Sequence, residues 1–192
     1  LLIMAIKTFT TGEVLTASDT NTYLANSGLV YIATKTWTSV SADQQLDNCF
    51  SSTYDNYRIV FNGTGNQSTP TVVFLRYVDG TTPDAVATYA YTESIVVGGP
   101  STSLYFSGAS ATSTGVGFVG DTQSSFSCDI YSPNLASNTT STSHCNVFGT
   151  VNYRNGQITG TKLTTTQYEG IFLGRGAGSW AGTLTVYGYR KA

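Results

Sequence analysis

The only histidine of this 192-residue chain, His144, stands between Ser143 and Cys145, so the first chemistry to test is nucleophilic. A hydroxyl or thiol activated by imidazole needs both groups within hydrogen-bond reach of one another. Adjacent residues of a strand point to opposite faces, so His144 and Cys145 are expected to be kept apart by the sheet itself. His144 then reads as a surface residue at the start of a strand. The eleven acidic residues are dispersed. Glycoside hydrolysis needs two facing carboxyl groups about 5–10 Å apart, and Glu93 with Asp121 is a pair that spacing alone leaves open. Gly174-Arg175-Gly176-Ala177-Gly178 has the glycine density of a phosphate loop. It lacks the P-loop lysine and a following helix, and it reads better as the connection between the last two strands.

Three cysteines, Cys49, Cys128 and Cys145, leave at least one unpaired and show no metal-ligand spacing. Two readings stay open. They are reduced, partly buried small apolar residues, or Cys128 and Cys145 bridge neighbouring strands. No metal or cofactor is expected, and the chain reads as a non-enzyme. Asn62-Gly63-Thr64, Asn66-Gln67-Ser68 and Asn138-Thr139-Thr140 match glycosylation acceptors and are read here as exposed loops. Tyr89, Tyr91, Tyr105, Tyr131 and Tyr168 combine an apolar ring with a hydroxyl and could stack on sugars, although strand packing or a subunit interface is the commoner use.

The elements that would position these residues follow from composition. Only 10% of residues are charged and 12% are aromatic, with many Ser, Thr and Gly, which is an all-β balance with turn-rich connections. The net charge is −2 and the nine Lys and Arg are scattered, so nucleic acid is not an expected partner. No apolar run approaches the roughly 20 residues of a bilayer span, and Leu1-Leu2-Ile3 is too short for a signal-peptide core. Met4 reads as a conventional initiator.

Thr16-Ala17-Ser18-Asp19 is a capping-box variant, from which a helix is expected to run to about Asn26, with Asn26-Ser27-Gly28 as its stop. Leu15, Tyr23 and Leu24 are the only large apolar groups around it, too few for a free-standing helix. From Leu29 the period becomes two. Tyr57, Ile59 and Phe61 alternate with Arg58, Val60 and Asn62, and Phe126, Cys128 and Ile130 with Ser127, Asp129 and Tyr131. Residues 72–78 form a denser run, and further strands are expected at 29–37, 86–97, 104–106, 116–119, 145–153, 157–165, 170–173 and 179–189. Turns are expected at 62–66, at Asp79-Gly80, at Gly98-Gly99-Pro100, at Ser132-Pro133-Asn134 and at Asn155-Gly156, the last closing a hairpin from Tyr153 to Ile158. The expected architecture is an antiparallel β-sandwich over residues 29–192, in jelly-roll form, preceded by an arm with a short helix over residues 1–28.

The opening run Phe9-Thr10-Thr11-Gly12-Glu13-Val14-Leu15-Thr16-Ala17-Ser18-Asp19-Thr20-Asn21-Thr22-Tyr23-Leu24 resembles a segment at the start of many small structural proteins of tailed bacteriophages. Cys49-Phe50-Ser51-Ser52-Thr53-Tyr54-Asp55-Asn56-Tyr57-Arg58-Ile59-Val60 resembles the strand entry of their β-sandwich modules, and residues 182–189 their closing strand. The resemblance implies a virion component, commonly a homotrimer, assembled in the bacterial cytoplasm. A fibre shaft would need a repeat or coiled coil that this chain does not show. The expected role is therefore capsid decoration: a cement protein on the outer shell, docked to the major capsid protein through the arm, with Phe9, Leu15, Tyr23 and Leu24 as candidate anchors. The alternative is a tail-fibre or tailspike adhesion subunit bound to tail proteins and to a host surface glycan.

Overall fold

From residue 28 onward β-branched and aromatic residues recur between Gly, Asn, Asp and Pro punctuation, and the computed structural model folds this pattern into thirteen strands. It describes residues 10–14, 16–19, 28–98 and 102–190. First come β1 (Leu29–Val40), β2 (Gln44–Leu46), β3 (Asn56–Gly65) and β4 (Thr71–Asp79). The short β5 (Thr82–Pro83), β6 (Tyr89–Val97) and β7 (Thr102–Ala111) follow. The chain then continues through β8 (Thr114–Val119), β9 (Ser124–Tyr131), β10 (Thr139–Phe148), β11 (Tyr153–Lys162), β12 (Gly170–Arg175) and β13 (Trp180–Tyr189). Every ladder is antiparallel.

One sheet has eight strands in the order β1-β13-β3-β9-β10-β11-β6-β7; the other has five, β2-β12-β4-β5 with β8 also on β4. The pairing is nested. β4 pairs with β8, β3 with β9, β2 with β12 and β1 with β13, and successive rungs fall alternately in the small and the large sheet. These eight strands are thus one long hairpin rolled onto itself, with β13 closing the roll against β3 and β12 against β4. The remaining long strands are insertions: β6–β7 lies between β4 and β8 in the chain, β10–β11 between β9 and β12. Both extend the large sheet beyond β9.

The two sheets share one core. Tyr57, Ile59 and Phe61 of β3 and Phe126, Cys128 and Ile130 of β9 face Val73 and Leu75 of β4, Val116 and Phe118 of β8, and Ile171 and Leu173 of β12. Burial of each such side chain is worth roughly 1.5–3 kcal/mol. Aromatic rings fill the β1–β13–β3 end: Trp37 and Trp180 lie 4.6 Å apart edge to face, and Phe61 stacks on Phe126 at 5.0 Å. Alternation along β3 and β9 is the sequence pattern realised, since one-residue slippage would turn the whole apolar set to solvent.

The structure corrects several expectations. Asn155-Gly156 is not a turn but the interior of β11, between β10 and β6. A Cβ on Gly156 would lie 2.2 Å from the Ser94 carbonyl oxygen, so the glycine serves close strand approach. Residues 62–65 likewise belong to β3, because a Cβ on Gly63 would meet the Ala181 carbonyl oxygen at 2.2 Å and the Phe61 ring at 2.6 Å. The real β10–β11 turn is at residues 149–152. There Asp121 accepts from the Thr150 N–H at 2.7 Å and from its hydroxyl at 2.6 Å. Asp79-Gly80 does turn, joining β4 to β5 through Gly80 at φ 61°. The first acceptor triplet is strand rather than loop, and β6 begins at Tyr89, three residues after the expected start.

Of the expected helix, the described residues hold one turn, Ala17–Asp19. Residues 20–27 lie outside them, as do the candidate anchors Phe9, Leu15, Tyr23 and Leu24. All three cysteines are free and buried. Cys128 faces Ser143 and Cys145 faces Phe126 in the β9–β10 ladder, so the two thiols are diagonal and the bridge is not formed.

Candidate functional site

The outer face of the eight-stranded sheet is coated with small polar groups because period two puts the apolar half of each strand inside. One register row crosses all eight strands: Thr34, Thr185, Val60, Ser127, His144, Gln157, Ser94 and Tyr105. Hydroxyls pair across it, Thr34 with Thr185 at 3.2 Å, Thr36 with Thr183 at 3.0 Å and Thr92 with Thr159 at 2.6 Å. One charged cluster interrupts the coat. Arg58 donates to both oxygens of Asp129 at 2.7 Å, and the Tyr189 hydroxyl donates to the same carboxylate at 2.6 Å. Burial pushes the Asp129 carboxyl up, but the Arg58 and Tyr189 hydrogen bonds outweigh this and hold it below its usual range.

A concavity of this face runs along β6, between β11 and the edge strand β7. Its main part, about 390 Å³, is lined by Thr92, Glu93 and Ser94 of β6, Tyr105, Phe106 and Ser107 of β7, and Gln157 and Thr159 of β11, with Tyr105 77% exposed. A second depression of about 320 Å³ continues it past Ala90, Ala109 and Thr161, sharing Thr92, Ser107 and Thr159. One register shift of the sheet falls nearby, in the β6–β7 ladder between Tyr89 and Tyr91.

The sequence-derived candidates separate. His144 lies on the exposed face in mid-β10, not at a strand start, while Ser143 and Cys145 are buried on the other side. The Ser143 hydroxyl donates to the Val116 carbonyl across the core. Burial pushes the Cys145 thiol up to about 11 and the Cys49 thiol up to about 12, which keeps both protonated at neutral pH. Asp121 is engaged with Thr150, and its carboxyl is held low by those hydrogen bonds. Glu93 instead points between the sheets, 2.4 Å from where a Gly115 Cβ would stand. The two carboxylates therefore serve different corners of the fold. Of residues 174–178, expected as the connection between the last two strands, Gly174 and Arg175 end β12 and residues 176–178 lie in the β12–β13 loop. Of the tyrosines, Tyr89 and Tyr168 are buried, whereas Tyr105 and Tyr131 are exposed.

Burial raises the Glu93 carboxyl pKa above its ordinary 4.5, with Arg154 opposing the shift. The folded state then binds this proton more tightly than the unfolded chain, so the group's contribution to stability falls as pH rises above 4.5. Glu93→Gln is expected to raise the melting temperature by about 2–4 °C at pH 7. The gain should vanish below pH 4; thermal scans at both pH values measure it, and an equal gain at both would contradict the burial argument.

Sequence reasoning missed one buried group altogether. Lys162, wholly inaccessible, donates to Asp84 at 2.9 Å and to the Val86 carbonyl at 3.1 Å, and stands 4.1 Å above the Tyr89 ring. Tyr168 donates to the same Asp84 oxygen at 2.7 Å. The only signal available was a lysine in register with the buried positions of β11, two residues after Gly160. Among the described residues no cluster of three or more His, Cys, Asp or Glu has metal-site geometry, and no helix is long and apolar enough to cross a membrane.

Compared with known protein families, with curated proteins and with solved structures, the chain has no match in any of the three.

Proposed function

We propose that this chain is a non-enzymatic structural protein of a bacteriophage virion, a trimeric cement protein on the outer capsid surface that binds the major capsid protein. The nested pairing β4–β8, β3–β9, β2–β12, β1–β13 supports reading the two sheets as a jelly-roll sandwich with two inserted hairpins. The observation that carries the docking role is the position of β1. This twelve-residue strand is an edge of the large sheet, begins directly after the arm at residues 1–28, and exposes Leu29 and Tyr31, the latter by 61%. An open edge offers backbone donors and acceptors to a partner chain, and the arm would add apolar anchors beside it. A protein that binds only the assembled shell stabilises that shell by linkage.

Deleting residues 1–26 is expected to leave a folded β-domain that no longer joins particles. Quantitative mass spectrometry of purified particles tests the reading: the full-length chain should be present in hundreds of copies, and the deletion variant should be at least about tenfold depleted, a loss of about 1.4 kcal/mol or more in binding. Copy numbers typical of a tail component would sink the capsid role.

A second reading, host adhesion from the tail, is favoured by one observation, the hydroxyl-lined groove with its exposed Tyr105. It predicts few copies per particle and loss of adsorption when Tyr105 is replaced.

A further inference from the structure

We infer that the groove along β6 is a binding site for a neutral oligosaccharide, held without cleavage; the inference rests on the adhesion reading for its biological setting and on the groove itself for its chemistry. The ligand class follows from what lines the site. Ser94, Thr92, Ser107, Thr159 and Gln157 present hydroxyls and an amide. No charged side chain reaches the groove: Glu93 sits on its floor strand, but its carboxylate turns to the opposite face, toward Gly115. A wall of neutral donors and acceptors matches a polyhydroxylated ligand, whereas an acidic sugar or a phosphate would call for Arg or Lys.

The hydroxyls are also ordered before a ligand arrives. Thr92 and Thr159 share one hydrogen bond of 2.6 Å, which uses one donor and one acceptor and leaves this pair a donor and three acceptors for a ligand. Because both residues sit on central strands, little side-chain entropy remains to be lost on binding. Tyr105 supplies the other half of sugar recognition, an apolar ring against which the C–H face of a pyranose can lie. Its position on the edge strand β7 sets that ring as a wall rather than a floor.

Size agrees as well. From Ser94 to Ala90 the floor spans four residues of β6, about 13 Å at ~3.3 Å per residue, enough for about three pyranose rings in line. Cleavage is not expected there, because no lining residue offers a carboxylate pair or an activated nucleophile to the ligand.

The test uses the full-length protein, isotope-labelled for NMR titration with neutral hexasaccharides of glucose, mannose, galactose and N-acetylglucosamine, and with hexagalacturonate as the charged comparison. At least one neutral hexasaccharide should bind, with shifts concentrated at Thr92, Ser94, Tyr105, Ser107 and Thr159. Tyr105→Ala should weaken it about tenfold and Thr159→Val about threefold, while Tyr131→Ala, an exposed tyrosine on the same face but on β9, should change it by less than about twofold. Failure of every neutral sugar to bind below about 10 mM, tighter binding of hexagalacturonate, or an unchanged Tyr105→Ala affinity would each overturn the inference. Particle adsorption with the Tyr105→Ala variant is measured alongside. Sugar binding with unchanged adsorption would uphold the site and remove the adhesion reading; lost adsorption without sugar binding would do the reverse.

Discussion

Lys162→Met is expected to destabilise the fold by about 3–5 kcal/mol, the cost of leaving one half of a buried ion pair without the other. Lys162 is fully buried, and its ammonium is satisfied by Asp84, the Val86 carbonyl and the Tyr89 ring. These contacts tie the 84–88 loop to β11, while Tyr168, bonded to both Asp84 and Thr164, ties in the loop that precedes β12. Met keeps the stem's volume but strands the Asp84 carboxylate. In a chain of this size the loss corresponds to a fall in melting temperature of about 10 °C.

The pH dependence gives the sign a second test. Burial pushes the Asp84 carboxyl up, yet the hydrogen bonds from Tyr168 and Lys162 and the Val86 N–H together leave it below its ordinary 3.8. Its folded-state pKa is thus depressed, so this stabilisation is complete above pH 3.8 and is lost as pH falls through the lower folded value. In Lys162→Met burial acts on Asp84 with less opposition, and the carboxyl becomes easier to protonate. The stability gap between wild type and variant should therefore narrow as pH falls through 4. Urea unfolding at pH 7 and pH 3.5 measures both; a loss under about 1 kcal/mol at pH 7 would mean the pair is not an energetic anchor.

Trp180→Ala should cost a similar amount, about 3–5 kcal/mol, through a different cause. Trp180 is 1% exposed and opens β13, the strand that joins β1 to β3. Its ring packs edge to face on Trp37 at 4.6 Å and against Phe61 at 5.7 Å, and its indole N–H donates to the Ala42 carbonyl at 3.2 Å. Truncation opens a cavity among rigid rings that cannot collapse, and it leaves that carbonyl with the Gln44 amide alone, at 3.1 Å. Trp37 offers an internal comparison. Its own indole nitrogen is buried and has no partner within the described residues, so Trp37→Phe sheds an unsatisfied donor along with some ring area. Chemical denaturation should rank Trp180→Ala far above Trp37→Phe, the latter costing about 1 kcal/mol or less; the opposite order would show that the hydrogen bond and the ring cluster were wrongly weighted.

The strands at β3, β4 and β9 could be read from residues 57–61, 72–78 and 126–130 because a strand with one buried face has no other period open to it. The Asn-Gly pairs misled for a related reason. Locally, Asn155-Gly156 favours a turn, but β11 lies between two strands, and a glycine there admits the Ser94 carbonyl where any side chain would collide. Turn preference amounts to a fraction of what two flanking ladders supply. The candidate site was only partly legible: Tyr105 stood out as a tyrosine among others, and nothing local distinguished it from the buried Tyr89 and Tyr168.

By itself the amino-acid order determined the class of fold and the separation of His144 from Cys145 across a strand, since both depend on the alternation of neighbours. Only the tertiary structure decided which strands meet. That choice brings Tyr168 to Asp84 across 84 residues of chain, places Lys162 against the same carboxylate, and lays Thr92, Thr159 and Tyr105 around one groove. These contacts arise from the rolled hairpin and its two insertions, and pairing between distant strands is set by the packing of the whole core, which no local window contains.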